Sequence, residues 1–506
     1  NMKKNILGIL LAVVLLGSSC TQFLSVDEVN PNSPSSADPS LVLPVAQNDL
    51  AYTMNYPRRF EFAYLWHGLW SISKGYTQPS NLVLYKLINS DYQNAFTEFY
   101  REANNLDVID KSSTDVKSSN YAAVAKIMKA YIFQNLVDCW GNVPYTDALQ
   151  TAKGVLKPTY QDQKSIYEDL IVQLDAAMTL IQNAPVDATE IPASSDIIYG
   201  GDMSLWLKFA NTLKLRILIH QADMANRTQY IKDAIATTAS VGYLGAGEGA
   251  LANPGFSISA GKMNPFYGYF YSAAGTSNSD GVTYFMAGKD VVDFMKANND
   301  PRLGSFFNAT SADATVYSGN YFGTPSTDPG VLDPKFTSGL GYSAGVASKM
   351  IGTGTKSAPI LTDFESLFIQ AEAAQRGLIT GDAKDLYQQA VTQSFIYEGL
   401  TVADATTFYS QNIAYTNFNI ATDPLRLIIT QKWEALNGVA PVEIWTDYRR
   451  TGFPSFIHFS VTPGRANDTP PVRLLYPQTE ISVNNASVVA VGTIDPFNSK
   501  IFWQNR

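Results

Sequence analysis

Apolar residues recur at spacings of three and four through most of the chain. The clearest case is the stretch 121–149, where Ala122, Ala125, Met128, Ile132 and Leu136 share one helical face. The helix they predict should stop near Cys139 and Trp140, because Gly141 ends it and Pro144 forbids its continuation. The segment at its end, Trp140-Gly-Asn-Val-Pro-Tyr, reads as a rigid aromatic corner that fixes where neighbouring elements sit.

The same periodicity predicts helices at 41–55, 60–73, 91–111, 118–137, 163–182, 203–225 and 229–238. Further helices are expected at 288–298, 360–376, 381–398, 424–437 and 442–448. Gly377 then serves as a C-cap, and Asp382 opens the next helix, which makes a compact helical hairpin. Successive helices at short separations imply antiparallel pairs, compatible with tetratricopeptide-like (TPR-like) units of about 34 residues. The repeat consensus itself does not recur cleanly. Between 241 and 356 the pattern breaks, and Gly, Ser, Thr, Asn and aromatic residues dominate. So long a weakly periodic stretch is functional loop or disorder, and its aromatic content argues for loop. The tail from 454 to 506 is turn-rich. No linker splits the body, so the fold expected is mainly α: TPR-like helix pairs in one domain over 41–506, with a loop-rich insert at about 241–356.

The first forty residues obey a different logic. Lys3 and Lys4 precede an eleven-residue apolar run, Ile6 to Leu16, interrupted only by Gly8. A membrane span needs about 20 residues, so the run reads as a secretory signal peptide over 1–19. Gly17-Ser-Ser-Cys20 places small residues directly before a cysteine, as in a slightly degenerate bacterial lipobox. Cys20 is therefore the expected lipidation site. Acyl chains at about 0.8 kcal/mol per buried CH₂ would anchor the protein firmly to a membrane. Pro, Ser, Asn and Asp fill the stretch up to residue 40, a flexible tether.

Composition narrows the function. Charged residues are only 16%, aromatics reach 12%, and 28 residues are Tyr. A surface poor in charge and rich in aromatic rings suits stacking on neutral ligands such as sugars, or contact with peptides. Net charge is −9, and removing a leader with two lysines and no acids would make it −11, which argues against nucleic acid. Two cysteines, Cys20 and Cys139, provide no disulfide scaffold.

Catalytic motifs are mostly absent. The only histidines, His67, His220 and His458, are far apart, and neither H-E-x-x-H nor C-x-x-C occurs, so no His/Cys metal site is expected. Gly341-Tyr-Ser-Ala-Gly345 matches G-x-S-x-G, but the residues before it form no buried strand and the chain lacks βαβ alternation. Glu61, Glu98 and Glu102 could in principle supply a glycosidase carboxylate pair, the basis of a glycan-hydrolase alternative. Their ordinary role is as solvated or ion-paired helix residues. No catalytic residue and no cofactor is assigned; the open question is a structural Ca²⁺ among the loop carboxylates. For binding, two aromatic groups stand out: Tyr64, Trp66, Trp70 and Tyr76, and then Phe266, Tyr267, Tyr269, Phe270 and Tyr271 beside Lys262 and Asn264. Rings with amide or hydroxyl neighbours are what a sugar needs, an apolar face to stack on and donors for its hydroxyls. Trp66, Trp70, Tyr76, Asn264, Tyr267, Tyr269 and Tyr271 are the candidate ligand-binding residues. Trp70→Ala or Tyr267→Ala is then expected to weaken binding without unfolding the protein.

Several segments in order resemble the SusD/RagB family of nutrient-binding outer-membrane lipoproteins. They are Cys20, Asp138-Cys-Trp-Gly-Asn-Val-Pro-Tyr145, Asn299-Asp-Pro-Arg-Leu303, Glu443-Ile-Trp-Thr-Asp-Tyr-Arg-Arg-Thr-Gly-Phe-Pro454, Arg473-Leu-Leu-Tyr-Pro-Gln-Thr-Glu480 and Lys500-Ile-Phe-Trp-Gln-Asn505. The run from Trp445 to Pro454 is most similar to the family's second, SusD-like branch. The resemblance implies a TPR-like α-helical body, lipid-anchored in the outer membrane and facing the extracellular side. Such a protein acts as the lid of a SusC-like TonB-dependent transporter, captures oligosaccharides or, in some branches, peptides, and catalyses nothing. In that picture Arg449, Arg450 and Arg473 tie loops together.

Overall fold

A computed structural model describes residues 38–73, 76–278, 283–325, 335–340 and 349–504. The leader 1–19, Cys20, the tether up to residue 37 and the G-x-S-x-G sequence at 341–345 lie outside the described residues.

The long helix Ser119–Trp140 is the spine of the body. Nearly every side chain along it is buried, and it ends where the sequence predicts, at Gly141 in the left-handed region (φ 73°). It packs between Gln93–Ser112 and Gln163–Gln182, and Gln163–Gln182 in turn packs on Met203–Ile219. Asp363–Gln375 pairs with Ala383–Tyr397 as the expected hairpin. These are TPR-like pairs, and the fold is mainly α. Among the described residues the strands form only three two-stranded antiparallel ribbons.

The Asp138–Tyr145 corner is a structural knot. The Asp138 carboxylate accepts hydrogen bonds from the Tyr167 hydroxyl and from the Trp503 indole at 3.0 Å. The Trp140 indole donates to the Leu475 carbonyl at 3.0 Å, and Arg473 donates to the Trp140 carbonyl. Arg449 donates to the carbonyls of Asp138 (2.7 Å) and Val472 (2.8 Å). Arg450 grips both oxygens of Glu372 (2.6 and 2.5 Å) and also Asp447. Arg449 and Arg473 thus join the end of the helix Ser119–Trp140 to the segment 472–473, whereas Arg450 joins two helices, Asp363–Gln375 and Pro441–Thr451. Burial would push the Glu372 carboxyl up, but the guanidiniums of Arg450 and Arg376 outweigh it and hold the group at about 2.

Two expected boundaries shift. The helix expected at 60–73 ends after Glu61–Trp66, because Gly68 takes a left-handed turn (φ 72°). A side chain at Gly68 would come within 2.6 Å of the Asp290 carboxylate. The chain then runs as a strand, Trp70–Ile72, against Phe285–Ala287. The helix expected from 203 to 225 stops at Ile219. The region 241–356 also holds more order than its composition suggests, with helices Pro265–Phe270, Lys289–Ala297 and Leu303–Phe306. Among the described residues, no helix is long and apolar enough to cross a membrane.

Candidate functional site

Tryptophan is where expectation and structure part. All seven tryptophans of the chain are buried, Trp66 and Trp70 completely. The Trp66 indole donates to the Leu82 carbonyl (3.2 Å), and the ring packs on Phe62 and Trp445. Trp70 stacks on Tyr64 at 4.1 Å and donates to the Asn437 side chain at 2.9 Å. Both are core residues, since a large ring just before or after a tight reversal into the body has nowhere to go but inwards. Neither offers a face to a ligand. Tyr267 and Tyr271 are also buried, stacked on each other at 5.1 Å. Asn264 spends its side chain on structure: its Oδ1 accepts from the amides of Phe266 (2.8 Å) and Tyr267 (3.0 Å), capping a short helix, while its amide donates to the Lys356 carbonyl.

Tyr76 and Tyr269 remain at the surface, and a row of rings links them. Tyr52 stacks on Tyr56 (5.3 Å, 15° between planes), and Tyr56 meets Tyr269 edge-on (5.5 Å, 88°). Tyr269 then contacts Phe285 (6.1 Å), Phe285 contacts Tyr284 (4.8 Å), and Tyr284 meets Tyr76 edge-on (5.0 Å). The Tyr76 hydroxyl hydrogen-bonds the Thr283 hydroxyl at 2.6 Å. Two arginines flank the row: Arg58 lies over Tyr284 (4.5 Å) and Arg59 over Tyr56 (5.5 Å).

The geometry originates at one helix end. The helix Pro39–Asn55 presents Asn48 and Tyr52, four residues apart, along one edge, and Tyr56, the extended residue that caps its C-terminus through its N–H to the Tyr52 carbonyl, follows them. The turn Pro57–Arg59 then swings two guanidiniums to the far side of Tyr56. On the near side a cleft of about 230 Å³ is lined by Asn48, Tyr52, Tyr56, Phe256, Met263 and Asn264. On the far side a cavity of about 310 Å³ is lined by Arg58, Arg59, Glu61, Asn81, Asp91 and Tyr284. Tyr52 is 45% exposed, which leaves its ring available for stacking. Together the two sides offer flat apolar faces next to amides, guanidiniums and phenols.

Of the residues singled out from the sequence, Tyr76, Asn264 and Tyr269 lie along this row or its cleft; Tyr52, Tyr56, Phe256, Tyr284 and Arg58, which the sequence reading did not single out, lie beside them. The four-residue spacing of Asn48, Tyr52 and Tyr56 was the available signal. Tyr284 and Arg58 join the site only through tertiary contact.

Burial pushes the Glu61 carboxyl up to about 7, with Arg58 pulling the other way, and its Oε2 has no partner among the described residues. Glu98 is engaged by Arg59 at 2.6 Å. Glu102 is fully buried and accepts from the Thr53 hydroxyl at 2.6 Å. The Thr53 hydroxyl that Glu102 accepts from also lies 3.3 Å from Glu98, whereas Glu61 is paired with Arg58 at 3.8 Å. Among the described residues no group of three or more His, Cys, Asp and Glu is gathered as a metal ion would need. Cys139 is free and buried, and burial pushes its thiol far above the usual range. A larger cavity of about 370 Å³ beside the Trp140 corner is lined by Asp107, Lys126, Lys129 and Asp169. Those groups are already committed to ion pairs or to the Tyr145 hydroxyl, which suits a neutral ring less well.

A family profile described as starch-binding, associating with the outer membrane, matches residues 31–477. No curated protein sequence matches the chain at a significant level. Similar solved structures include a chitin-binding protein (22% identity, TM-score 0.75), which covers 93% of this chain and 100% of its own. A SusD homologue from Bacteroides fragilis (20% identity, TM-score 0.72) covers 92% of this chain and 98% of its own. A SusD-like protein from Bacteroides thetaiotaomicron (22% identity, TM-score 0.72) covers 93% and 99%.

Proposed function

The chain belongs to the SusD-like family of starch-binding proteins associated with the outer membrane, and on that premise we propose that it captures a neutral oligosaccharide on the ring row Tyr52–Tyr56–Tyr269. Members of this family are binding proteins, not enzymes. In the proposed arrangement, Cys20 carries the lipid that holds the body at the extracellular side of the outer membrane. The protein acts as a lid and hands its ligand to a SusC-like TonB-dependent transporter.

The observation that carries the ligand class is the row itself, whose flat faces border a cleft also lined by amides. A pyranose has one apolar face for such a ring and hydroxyls for its neighbours. A fold shared with a chitin-binding protein supports a glycan over other nutrients. The second reading, an extended peptide, is favoured by Arg58, Arg59, Asn81 and Asn94 around the adjoining cavity, since these groups suit backbone carbonyls.

Calorimetry decides between them, using a soluble version that begins at Thr21, titrated with oligosaccharides and with a mixed peptide pool. Saturable binding of an oligosaccharide, without turnover, is expected. Binding of peptides alone would move the nutrient class while keeping the site. Binding of oligosaccharide that is indifferent to the ring row would overturn the site.

A further inference from the structure

The ring row suits a pyranose, and the cavity of about 310 Å³ on the far side of Tyr56 suits an amide carbonyl. One class of ligand carries both groups. The cavity starts at Arg59, whose guanidinium lies 5.5 Å from the Tyr56 ring centroid, within the length of one sugar unit. A ligand can reach its wall, because Arg58 and Asn94 are exposed and Pro79, Tyr92 and Gln93 are half-buried.

Arg58 has donors to spare. A guanidinium carries five N–H groups. That of Arg58 hydrogen-bonds the Tyr284 hydroxyl, and the Glu61 carboxylate lies 3.8 Å away, beyond hydrogen-bond reach. The side chains of Gln93 and Asn94 have no hydrogen-bond partner among the described residues. Charge, by contrast, is balanced. Arg59 is paired with Glu98 at 2.6 Å, and Asp91 offsets Arg58 while accepting from the amides of Asn81 (2.9 Å) and Ile88 (2.8 Å). Glu61 adds a third acid, which burial raises to about 7. Such a wall wants an acceptor but gains little from an anion, since a carboxylate or sulfate would meet Asp91 and Glu61 as well as Arg58.

We propose that the glycan captured on the row is an oligomer of N-acetylated aminosugars, with the acetamido carbonyl of the unit beside Tyr56 accepting from Arg58 and Asn94 in this cavity. The inference rests on the oligosaccharide reading and names its class. The same donors, taken alone, favour an extended peptide. An acetamido group is an amide too, so a single ligand accounts for the rings and for the donors. Its methyl would lie against Pro79 and the Tyr92 ring. A glucan has no carbonyl to place there.

N-acetylated chitotetraose and cellotetraose are the probes, the same β-linked backbone with and without acetamido groups. Calorimetry on the purified full chain should show the acetylated tetramer binding at least about tenfold tighter, as a hydrogen bond from a charged donor implies. Arg58→Met should bring the two affinities within about threefold of each other. Asn94→Ala, at an exposed position, should narrow the preference by about threefold, and it serves even if Arg58→Met fails to fold. Equal affinities in the unaltered protein, both weakened by Tyr56→Ala, would overturn this inference and leave the ring row standing. A preference undiminished in both variants, or no saturable binding of the acetylated tetramer, would also overturn it. Affinities indifferent to Tyr56→Ala would instead overturn the row, and the inference with it.

Discussion

Tyr56→Ala separates the proposed binding row from the rest of the fold. Tyr56 is the middle ring, stacked on Tyr52 at 5.3 Å, edge-on to Tyr269 at 5.5 Å, and half-buried. A sugar face laid on such a ring covers about 50 Å² of apolar surface, which at ~25 cal/mol per Å² contributes about 1.2 kcal/mol. Directional contact with the ring adds about 0.5–1.5 kcal/mol. The loss expected on truncation is therefore about 2–3 kcal/mol, or roughly 30- to 150-fold in Kd. Within the protein, removing the packing of Tyr56 on Tyr52 and Tyr269 costs about 1–2 kcal/mol. That is small against a typical total of about 5–15 kcal/mol, so the variant should fold. Calorimetry on one oligosaccharide measures the change in affinity, and a urea midpoint by circular dichroism measures the change in stability. A Kd within about threefold of the unaltered protein, at an intact midpoint, would refute the assignment of this row.

Trp70→Ala should do the opposite and disturb folding first. Removing a fully buried indole costs about 3–5 kcal/mol, and leaving the buried Asn437 oxygen without its donor adds about 1–3 kcal/mol. The urea midpoint should fall steeply, and an unchanged midpoint would place Trp70 outside the core. Glu102→Gln tests a buried acid. Burial pushes the Glu102 carboxyl up to about 8, from about 4.5 in the unfolded chain, so the folded state holds the proton. Its contribution is fully present below about pH 4.5 and is lost as pH rises towards 8, on the order of 3–5 kcal/mol. The neutral amide should flatten the fall in stability over that window and leave the variant more stable than the parent at pH 8.5. An identical pH profile for the two proteins would show that Glu102 does not titrate in this way.

The sequence by itself determined the elements, because helix periodicity and its punctuation are local. The spacing of Ala122, Ala125, Met128, Ile132 and Leu136 and the stop at Gly141 predict the central helix almost to the residue. The helix Gln163–Gln182 appears with the bounds its pattern gives. The family, too, was legible, since motifs such as Asp138–Tyr145 and Trp445–Pro454 are short runs whose order survives in one dimension.

Only the tertiary structure decided which rings face out. Composition counts aromatic residues but cannot say which side of the body they occupy, and a ring gains as much from the core as from a ligand. Trp66 and Trp70 went inside because Gly68 reverses the chain within a crowded core, so close to Asp290, more than two hundred residues away, that a side chain at 68 would not fit. Tyr52 stayed out because it lies on the exposed edge of the helix Pro39–Asn55, and Tyr56, just past its end, stacks on it. Arg58 meets Tyr284, and Tyr269 meets Tyr56, only after distant segments have packed. A binding face is a property of neighbours far apart in the chain, and neighbours are what folding chooses.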